Sequence, residues 1–337
     1  MATLQDVENC YRYIIGREMN DEEIAGYSSR IDTFDAMAVA DLRRSFLRSA
    51  EFHHRHLETF FENLVPNSII VAHDVDLGFR IYLDLRQLHL AFGIMNNAYE
   101  REEVEVLRRI VPDDGLFLDV GANVGYFTLA IASRPGFRGQ VMSFEPLAPL
   151  FDLLQRSVSE NNLQDRVTAR PVALAEQPGT LPLTQAEHSI NAGSTRLAVG
   201  SVDGGRAARM VQVETLDRVA ADIRPDVIKV DIEGAEGLFF HGGAKTIEQH
   251  KPTILFEVNQ DLLSLVSRIR AADIHHWLAQ LGYRQWAVLP AGLAPIRTGA
   301  EIAGLMPASG VVNILAVHGD KVAATRPLLA DLAGDGF

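Results

Sequence analysis

Four short apolar segments of this chain each end on a carboxylate: LFLD at Asp119, VMSFE at Glu145, VIKVD at Asp231 and TILFE at Glu257. In an open parallel sheet, ligands bind in the crevice outside the carboxyl ends of the strands, because loops and helix N-termini converge there. A single acid at a strand end is often only a turn or helix-capping residue. Four in one chain predict that these acids surround one crevice.

The first of these acids opens a glycine-containing turn, FLDVGANVGYF, between a strand and a helix. Gly121 and Gly125 bracket the turn, and a glycine lets a ligand approach the backbone because it has no Cβ. An acid at the mouth of such a turn repels a pyrophosphate but attracts a cationic ammonium or sulfonium. Asp119 and Gly121 are therefore predicted to lie where the polar tail of a cofactor approaches the backbone, and S-adenosylmethionine fits this demand.

Glu145 lies 24 residues beyond Gly121, at the end of the next strand. That spacing predicts a carboxylate opposite a ribose, where it accepts hydrogen bonds from both hydroxyls. A nicotinamide dinucleotide satisfies the same spacing. Its fingerprint, however, begins with G-x-G, and the turn here reads G-A-N-V-G. S-adenosylmethionine is the favoured cofactor.

The segment KVDIEG carries three charged residues in alternation, and a strand would present Lys229, Asp231 and Glu233 on one face. Three charges on one face of a central strand are costly unless they line a cleft. We predict Asp231 as a general base or metal ligand, with Lys229 orienting it or contacting the acceptor. The alternative is a purely structural Lys–Asp pair that closes the strand.

Glu257 is a second candidate metal ligand, because hard divalent cations such as Mg or Mn favour carboxylate oxygens. Asp231 and Glu257 would share the ion. Glu233 and Glu257 are also alternative candidates for the base.

The remaining pattern predicts two domains, a helical domain at residues 1–62 and a larger α/β domain at residues 63–337. The larger domain opens with a hairpin at 68–86 and a helix at 97–110. Short apolar segments then alternate with helical ones, which is typical of a mostly parallel sheet covered on both faces. We predict seven strands: 116–119, 140–145, 167–172, 227–231, 253–257, 284–289 and 311–318. Residues 179–209 are predicted to be an irregular insertion that serves as a lid or mobile loop.

The composition limits the partners that we expect. The chain has 337 residues and a net charge of −13, which disfavours a nucleic-acid backbone or an anionic membrane as the main partner. Cys10 is the single cysteine and cannot form an internal disulfide, and no segment approaches the length of a membrane span. These features predict a cytoplasmic protein, and they leave its oligomeric state open.

Several motifs, taken in order, resemble the FkbM family of S-adenosylmethionine-dependent methyltransferases: FLDVGANVGYFTL, SFEPLAPLFDLLQRSVSENN, VETLD, DVIKVDIEGAE and KPTILFEV. Tyr99-Glu100, ahead of the first motif, also matches. The resemblance runs from about residue 80 to 318. It implies a seven-stranded class I, Rossmann-like methyltransferase sheet whose last strand is antiparallel, and O-methylation as the usual activity. The first 62 residues resemble a small bacterial helical domain of unassigned function.

The resemblance also implies a set of cofactor-binding residues. Asp119, Gly121, Asn123 and Gly125 match the cofactor loop, and Glu145 matches the ribose-binding acid. Ala173 matches the residue beside the adenine. Glu100, Ala122 and Pro146 lie within the matching motifs and are included in the predicted site.

We expect an O-methyltransferase that acts on a hydroxyl of a sugar, a glycolipid or a secondary metabolite. A nicotinamide-dependent oxidoreductase is the second hypothesis, which the glycine loop disfavours. The third is a non-catalytic interaction protein, in which the helical start recruits a partner in glycan assembly and the larger domain is a degenerate enzyme. The acids at all four strand ends speak against degeneration.

Overall fold

The computed structural model describes residues 3–12, 17–28, 42, 46, 69–185, 195–197, 209–307 and 310–333. The chain divides into two compact units, Met1–Ser68 and Ile69–Phe337. The predicted domain boundary at residues 62 and 63 lies outside the described residues and stays a prediction.

The described part of the first unit contains two helices, α1 (Leu4–Cys10) and α2 (Asp21–Ser28). Thr3 caps α1, because its side chain accepts a hydrogen bond from the Asp6 N–H. The unit has a small apolar core of its own, formed by Val7, Cys10, Tyr11, Leu42 and Phe46.

The second unit opens with the predicted hairpin, formed by β1 (Ile69–Asp74) and β2 (Phe79–Asp84). Two helices follow, α3 (Leu88–Met95) and α4 (Arg101–Ile110). The helix predicted at 97–110 therefore begins four residues later in the structure, at Arg101. Glu100, with φ +42°, is in the left-handed region, so regular helix begins only after it.

The other strands of the second unit are β3 (Leu116–Val120), β4 (Gln140–Phe144), β5 (Val167–Arg170), β6 (Ala173–Leu174), β7 (Gly179–Gln185), β8 (Thr195–Leu197), β9 (Arg209–Glu214), β10 (Val227–Val230), β11 (Thr253–Asn259), β12 (Tyr283–Leu289), β13 (Gly292–Ile296) and β14 (Val311–His318). Eight of them form the main sheet in the order β13-β12-β14-β11-β10-β3-β4-β5. Strands β3, β4, β5, β10 and β11 are mutually parallel, and β14 is antiparallel to both of its neighbours.

This arrangement confirms the predicted Rossmann-like methyltransferase fold and its antiparallel last strand. The count of seven strands was one too low, because β13 pairs with β12 at the edge of the sheet. Its sequence, GLAPI, contains a glycine and a proline, and both weaken a strand signal.

Helices cover both faces of the main sheet: α5 (Tyr126–Ala132), α6 (Ala148–Glu160), α7 (Leu216–Val219), α8 (Glu236–Gly242), α9 (Ala244–His250), α10 (Gln260–Val266), α11 (Ala271–Gln280), α12 (Ile302–Leu305), α13 (Gly319–Thr325) and α14 (Ala330–Ala333). Successive residues of β3 belong to two different apolar cores, since Phe117 packs into one and Leu118 into the other. The sheet is therefore buried on both faces. Among the residues that the structure describes, every helix is too short or too polar to cross a bilayer.

The segment at 179–209, predicted to be irregular, contains regular structure. Strands β6, β9, β7 and β8 form a second sheet in that order. The alternation in GTLPLTQ is interrupted by Pro182, and this hid β7 from the sequence pattern. Residues 186–194 and 198–208 lie outside the described part of the chain, so the lid hypothesis stays a prediction.

Candidate active site

A cavity of about 410 Å³ opens at the carboxyl ends of the parallel strands. Nine of the predicted site residues line it: Glu100, Gly121, Asn123, Glu145, Pro146, Ala173, Asp231, Glu233 and Glu257. Three of the four acids that end apolar strands are thus brought together. The sheet topology explains this convergence, because β3, β4, β10 and β11 are consecutive parallel neighbours.

Asp119, the fourth acid, lies beneath the cavity rather than at its mouth. It is a residue of β3, which continues to Val120, and its side chain is completely buried. One oxygen accepts a hydrogen bond from Thr128 Oγ1 at 2.6 Å, and burial raises the pKa of the carboxyl. Asp119 does not line the cavity, and its predicted contact with the polar tail of a cofactor stays a prediction.

Lys229 is also buried behind the cavity wall, with 4% of its surface exposed. Its Nζ lies 3.0 Å from Asp231 Oδ2 and 4.5 Å from the centre of the Phe127 ring. Burial lowers the pKa of the ammonium, but the neighbouring charges of Asp231, Asp119 and Glu100 outweigh that cost, and the net shift is upward. Lys229 therefore holds Asp231 without lining the cavity itself.

The predicted strand face through Glu233 does not exist, because β10 ends at Val230. The chain then turns: Glu233 has φ +53° and Gly234 has φ +93°. Asp231 and Glu233 still line the cavity, but they do so from a tight turn. We call residues 231–234 the acidic turn.

The glycines of the first motif make room for the protein itself. A Cβ on Gly121, which has φ +79°, would lie 1.8 Å from the Asp231 carbonyl oxygen. A Cβ on Gly125 would lie 2.4 Å from Leu154 Cδ1. Gly125 and Ala122 do not line the cavity, whereas Gly121 does. The close approach that requires glycine at position 121 is thus the contact between the cofactor loop and the acidic turn.

Glu145 combines burial with fixed hydrogen bonds. Its Oε2 accepts from the Asn123 N–H at 2.9 Å, and its Oε1 accepts from the Leu147 N–H at 2.8 Å. Burial raises the pKa of this carboxyl to about 7, although the two backbone donors work in the opposite direction. Each oxygen keeps a free lone pair for a ligand in the cavity.

The acidic end of the cavity holds three carboxylates that can meet at one point. Glu100, Asp231 and Glu257 each offer an oxygen, and these oxygens lie within 4.8 Å of one another. Burial raises the pKa of Glu100 to about 8, and burial with the charges of Asp231 and Glu100 raises the pKa of Glu257 well above its usual value. Glu100, predicted as a cofactor residue, thus belongs to the group that contains Asp231.

The opposite end of the cavity is apolar, and its side chains were largely missed in the sequence. Val172 and Leu174 flank the predicted Ala173, and Leu183 and Leu197 complete this wall from the second sheet. Leu183 and Leu197 are direct neighbours across the β7–β8 pair. A leucine pair brought together by an insertion leaves no local sequence signal, because its members are separated in the chain.

Residues 119–285 match the sequence profile described as the methyltransferase FkbM domain. This part of the chain is an FkbM methyltransferase domain. The match supports the predicted methyltransferase activity and gives no support to the oxidoreductase hypothesis.

Three curated proteins are similar to parts of this chain. It is 26% identical over 154 residues to methyltransferase sdnD of Sordaria araneosa, which covers 37% of the chain and 59% of that protein. It is 26% identical over 180 residues to methyltransferase 1 of Beauveria bassiana, covering 44% and 71%. The AMB antimetabolite synthetase AmbE of Pseudomonas aeruginosa is 36% identical over 110 residues, which are 32% of this chain but 5% of that protein.

Two solved structures are similar to parts of this chain. Methyltransferase FkbM from Methylobacillus flagellatus KT is 17% identical with a TM-score of 0.41, covering 67% of this chain and 52% of that one. TYW2 from M. jannaschii, solved in complex with AdoMet, is 12% identical with a TM-score of 0.39, covering 75% of this chain and 86% of that one.

Proposed function

We propose that this protein transfers a methyl group from S-adenosylmethionine to a hydroxyl oxygen of a sugar, a glycolipid or a secondary metabolite. The observation that carries the proposal is the content of one cavity. It contains Glu145, whose two oxygens are each fixed by a backbone N–H, and Asp231, which is fixed by the buried Lys229. The first suits a ribose, and the second suits a base beside the acceptor.

The cavity fits the adenosine part of S-adenosylmethionine. The apolar wall at Ala173, Leu183 and Leu197 suits an adenine ring, because moving the faces of the ring from water onto an apolar surface is favourable. The free lone pairs of Glu145 then face the ribose hydroxyls. Glu100 lies toward the other end, where a carboxylate favours the positive charge of a sulfonium and an ammonium.

When bound, S-adenosylmethionine supplies a methyl carbon already activated by the sulfonium. The protein aligns the acceptor oxygen in line with that carbon and excludes water. Asp231 would accept the proton that the hydroxyl loses as its oxygen takes the methyl group, and the other product would be S-adenosylhomocysteine. Lys229 keeps Asp231 in place, since its Nζ donates to Oδ2 at 3.0 Å.

The acceptor end favours a ligand that donates hydrogen bonds. Glu233, Glu257, Asn259 and Asn313 line it, and among the described lining residues there is no lysine or arginine. Hydroxyl groups can donate to such a surface, whereas phosphates would be repelled. This lining supports a hydroxylated acceptor and the prediction that nucleic acid is not the substrate. A cytoplasmic location stays a prediction.

A screen of candidate acceptors with methyl-labelled S-adenosylmethionine tests the proposal. Label should appear in a sugar, glycolipid or hydroxylated metabolite, and the product should be a methyl ether. Calorimetry with S-adenosylmethionine alone should show binding before any acceptor is known. Label found on nitrogen or carbon, with hydroxyl acceptors inert, would overturn the O-methylation part.

The affinity for S-adenosylmethionine should rise with pH through about 7. Glu145 has a pKa of about 7 in the free protein, because it is buried. Ribose hydroxyls stabilise its charged form and lower that pKa, so binding releases a proton. Affinity should therefore increase about tenfold between about pH 6 and about pH 8, as measured by calorimetry.

Glu145→Gln is the matched control for this pH dependence. The amide keeps the shape of the carboxyl but carries no charge and does not titrate. The variant should bind more weakly at pH 8, and the part of the slope that belongs to Glu145 should vanish, while titration of the ligand itself remains in both proteins. An identical slope in the two proteins would assign the pH dependence to another group.

We further propose that a divalent cation binds at Glu100, Asp231 and Glu257, whose oxygens can reach one point. Mg or Mn would then activate the acceptor hydroxyl as a Lewis acid. Chelation should abolish transfer, and added Mg or Mn should restore it. Calorimetric titration with Mg should show binding that Glu257→Gln weakens.

Full activity after exhaustive chelation, with no metal found by elemental analysis, would contradict the metal proposal. Asp231 would then act as an unaided base.

A further inference from the structure

Glu236 is a buried acid outside the set predicted from the sequence. It is the first residue of α8 and immediately follows the acidic turn and Ala235. Only 2% of its surface is exposed, and it does not line the cavity. A carboxyl group buried so completely is costly unless its hydrogen bonds serve the structure around it.

The carboxyl of Glu236 binds the backbone of the acidic turn. Its Oε1 accepts from the Ile232 N–H at 3.0 Å and from the Gly234 N–H at 3.4 Å. Its Oε2 is buried and has no hydrogen-bond partner among the described residues. One oxygen therefore accepts hydrogen bonds from two backbone amides of the turn, those of Ile232 and Gly234. Both residues lie beyond the end of β10, so their amides are outside the sheet ladder.

The backbone of the turn needs such support. Glu233 and Gly234 are two consecutive residues with positive φ, at +53° and +93°. A positive φ is sparsely populated for a residue with a Cβ such as Glu233, and it persists only where surrounding contacts fix it. A Cβ on Gly234 would lie 2.4 Å from the Leu262 carbonyl oxygen, so the turn is also confined from the side of α10.

The acidic turn also supports the loop that contains Gly121. The Asp231 carbonyl oxygen occupies the place where Gly121 would carry a Cβ, at 1.8 Å, and Ile232 Cγ2 lies 3.0 Å from that same position. A shift of the turn by a few tenths of an ångström would therefore move or release Gly121. It would also move the Asp231 and Glu233 side chains in the cavity.

We propose that Glu236 is a positioning residue that clamps the acidic turn and thereby fixes both Asp231 and the Gly121 loop. It acts through these residues and touches neither the cofactor nor the acceptor. The inference rests on the proposed function in one respect, because S-adenosylmethionine is the probe of the Gly121 loop.

The test compares Glu236→Gln with Glu236→Ala in the full chain. The glutamine keeps a carbonyl oxygen that can accept from Ile232 and Gly234, so its affinity for S-adenosylmethionine should stay within about threefold of the wild type. The alanine removes the acceptor, and the affinity should fall about tenfold or more by calorimetry. Hydrogen exchange of the Ile232 and Gly234 amides should accelerate about tenfold or more in the alanine variant alone.

Thr246→Val is the matched control for lost stability. Thr246 is similarly buried in the next helix, and its Oγ1 donates to Asp217 Oδ1 at 2.8 Å. This variant should lower the melting temperature without changing the exchange of the acidic turn or the affinity for S-adenosylmethionine. If Glu236→Ala does not fold, Glu236→Asp replaces it, because the shorter side chain cannot reach both amides.

The proposal would be overturned if Glu236→Ala lowered the melting temperature but changed neither the hydrogen exchange of the acidic turn nor the affinity for S-adenosylmethionine. Glu236 would then be a general structural residue. Failure of the wild type to bind S-adenosylmethionine would instead contradict the proposed function. The exchange measurement would still decide the role of Glu236 in that case, because it requires no ligand.

Discussion

Replacement of Asp231 by asparagine should slow methyl transfer by about 10² to 10⁴, the usual contribution of a positioned acid or base. The amide keeps the shape of the side chain but cannot accept the proton of the acceptor, and it is a weak ligand for a metal. The affinity for S-adenosylmethionine should change much less, because the proposed ribose contact is Glu145. The single-turnover rate and the cofactor affinity are measured on one preparation.

The alternative role of Asp231, as half of a structural pair with Lys229, predicts another outcome. Breaking a buried pair costs about 3 to 5 kcal/mol of stability when one charge is left alone. Here the Asp231 side chain is 20% exposed, so the loss should lie below that range. A destabilised variant that methylates at nearly the wild-type rate would make Asp231 a scaffold residue and shift the search for the base to Glu233 or Glu257.

Asp226→Asn is the matched control for this experiment. Asp226 directly precedes β10, at the opposite end of the strand from Asp231, and its Oδ2 accepts a hydrogen bond from the Leu116 N–H at 2.9 Å. The control variant removes a carboxylate of the same strand far from the cavity. It should alter stability while leaving the transfer rate per folded molecule intact.

Gly121→Ala should destabilise the second unit and abolish cofactor binding. The alanine would be strained at φ +79°, at a cost of about 1 to 2 kcal/mol. Its Cβ would also meet the Asp231 carbonyl oxygen at 1.8 Å, and overpacking of this kind costs about 1 to 3 kcal/mol more. The free energy of unfolding should therefore fall by about 2 to 5 kcal/mol.

Gly78→Ala separates the two causes. Gly78 has φ +80°, nearly the same as Gly121, but no atom lies within 4 Å of the position of its Cβ. It should lose only the strain of about 1 to 2 kcal/mol and keep its affinity for S-adenosylmethionine. Both tryptophans, Trp277 and Trp286, belong to the second unit, so their fluorescence follows its unfolding. If both variants lost the same free energy of unfolding, the contact between a Cβ at position 121 and the Asp231 carbonyl oxygen would cost no stability.

The sheet could be predicted from the sequence because each central strand is short, apolar and bounded by polar residues. The convergence of Glu145, Asp231 and Glu257 followed from the rule for strand ends, and the structure places all three in one cavity. What each side chain does there is still a prediction. Asp119 differs because the sheet register places it beside Lys229 and Ser143, two residues before the level of Asp231 and Glu145, so its side chain lies below the cavity.

The rest of the site depends on contacts between residues that are distant in the chain. The alternation in KVDIEG suggested a strand through Glu233, but the Glu236 carboxyl offers the amides of Ile232 and Gly234 a partner outside the sheet. A side chain that accepts hydrogen bonds from nearby backbone amides leaves no periodic pattern in the sequence. The Leu183–Leu197 pair likewise exists only because β7 and β8 meet.

The additional strand β13 changes what the edge of the main sheet offers to a strand of another molecule. A sheet edge presents unpaired N–H and C=O groups, which can recruit a strand from another molecule and start aggregation. Here β13 covers β12, and β13 carries Pro295, which has no N–H to offer. The opposite edge, β5, is four residues long. Both edges of the main sheet are thus poor templates for intermolecular strand pairing. The sheet is apolar on both faces and still presents no long edge of unpaired backbone groups among the described residues.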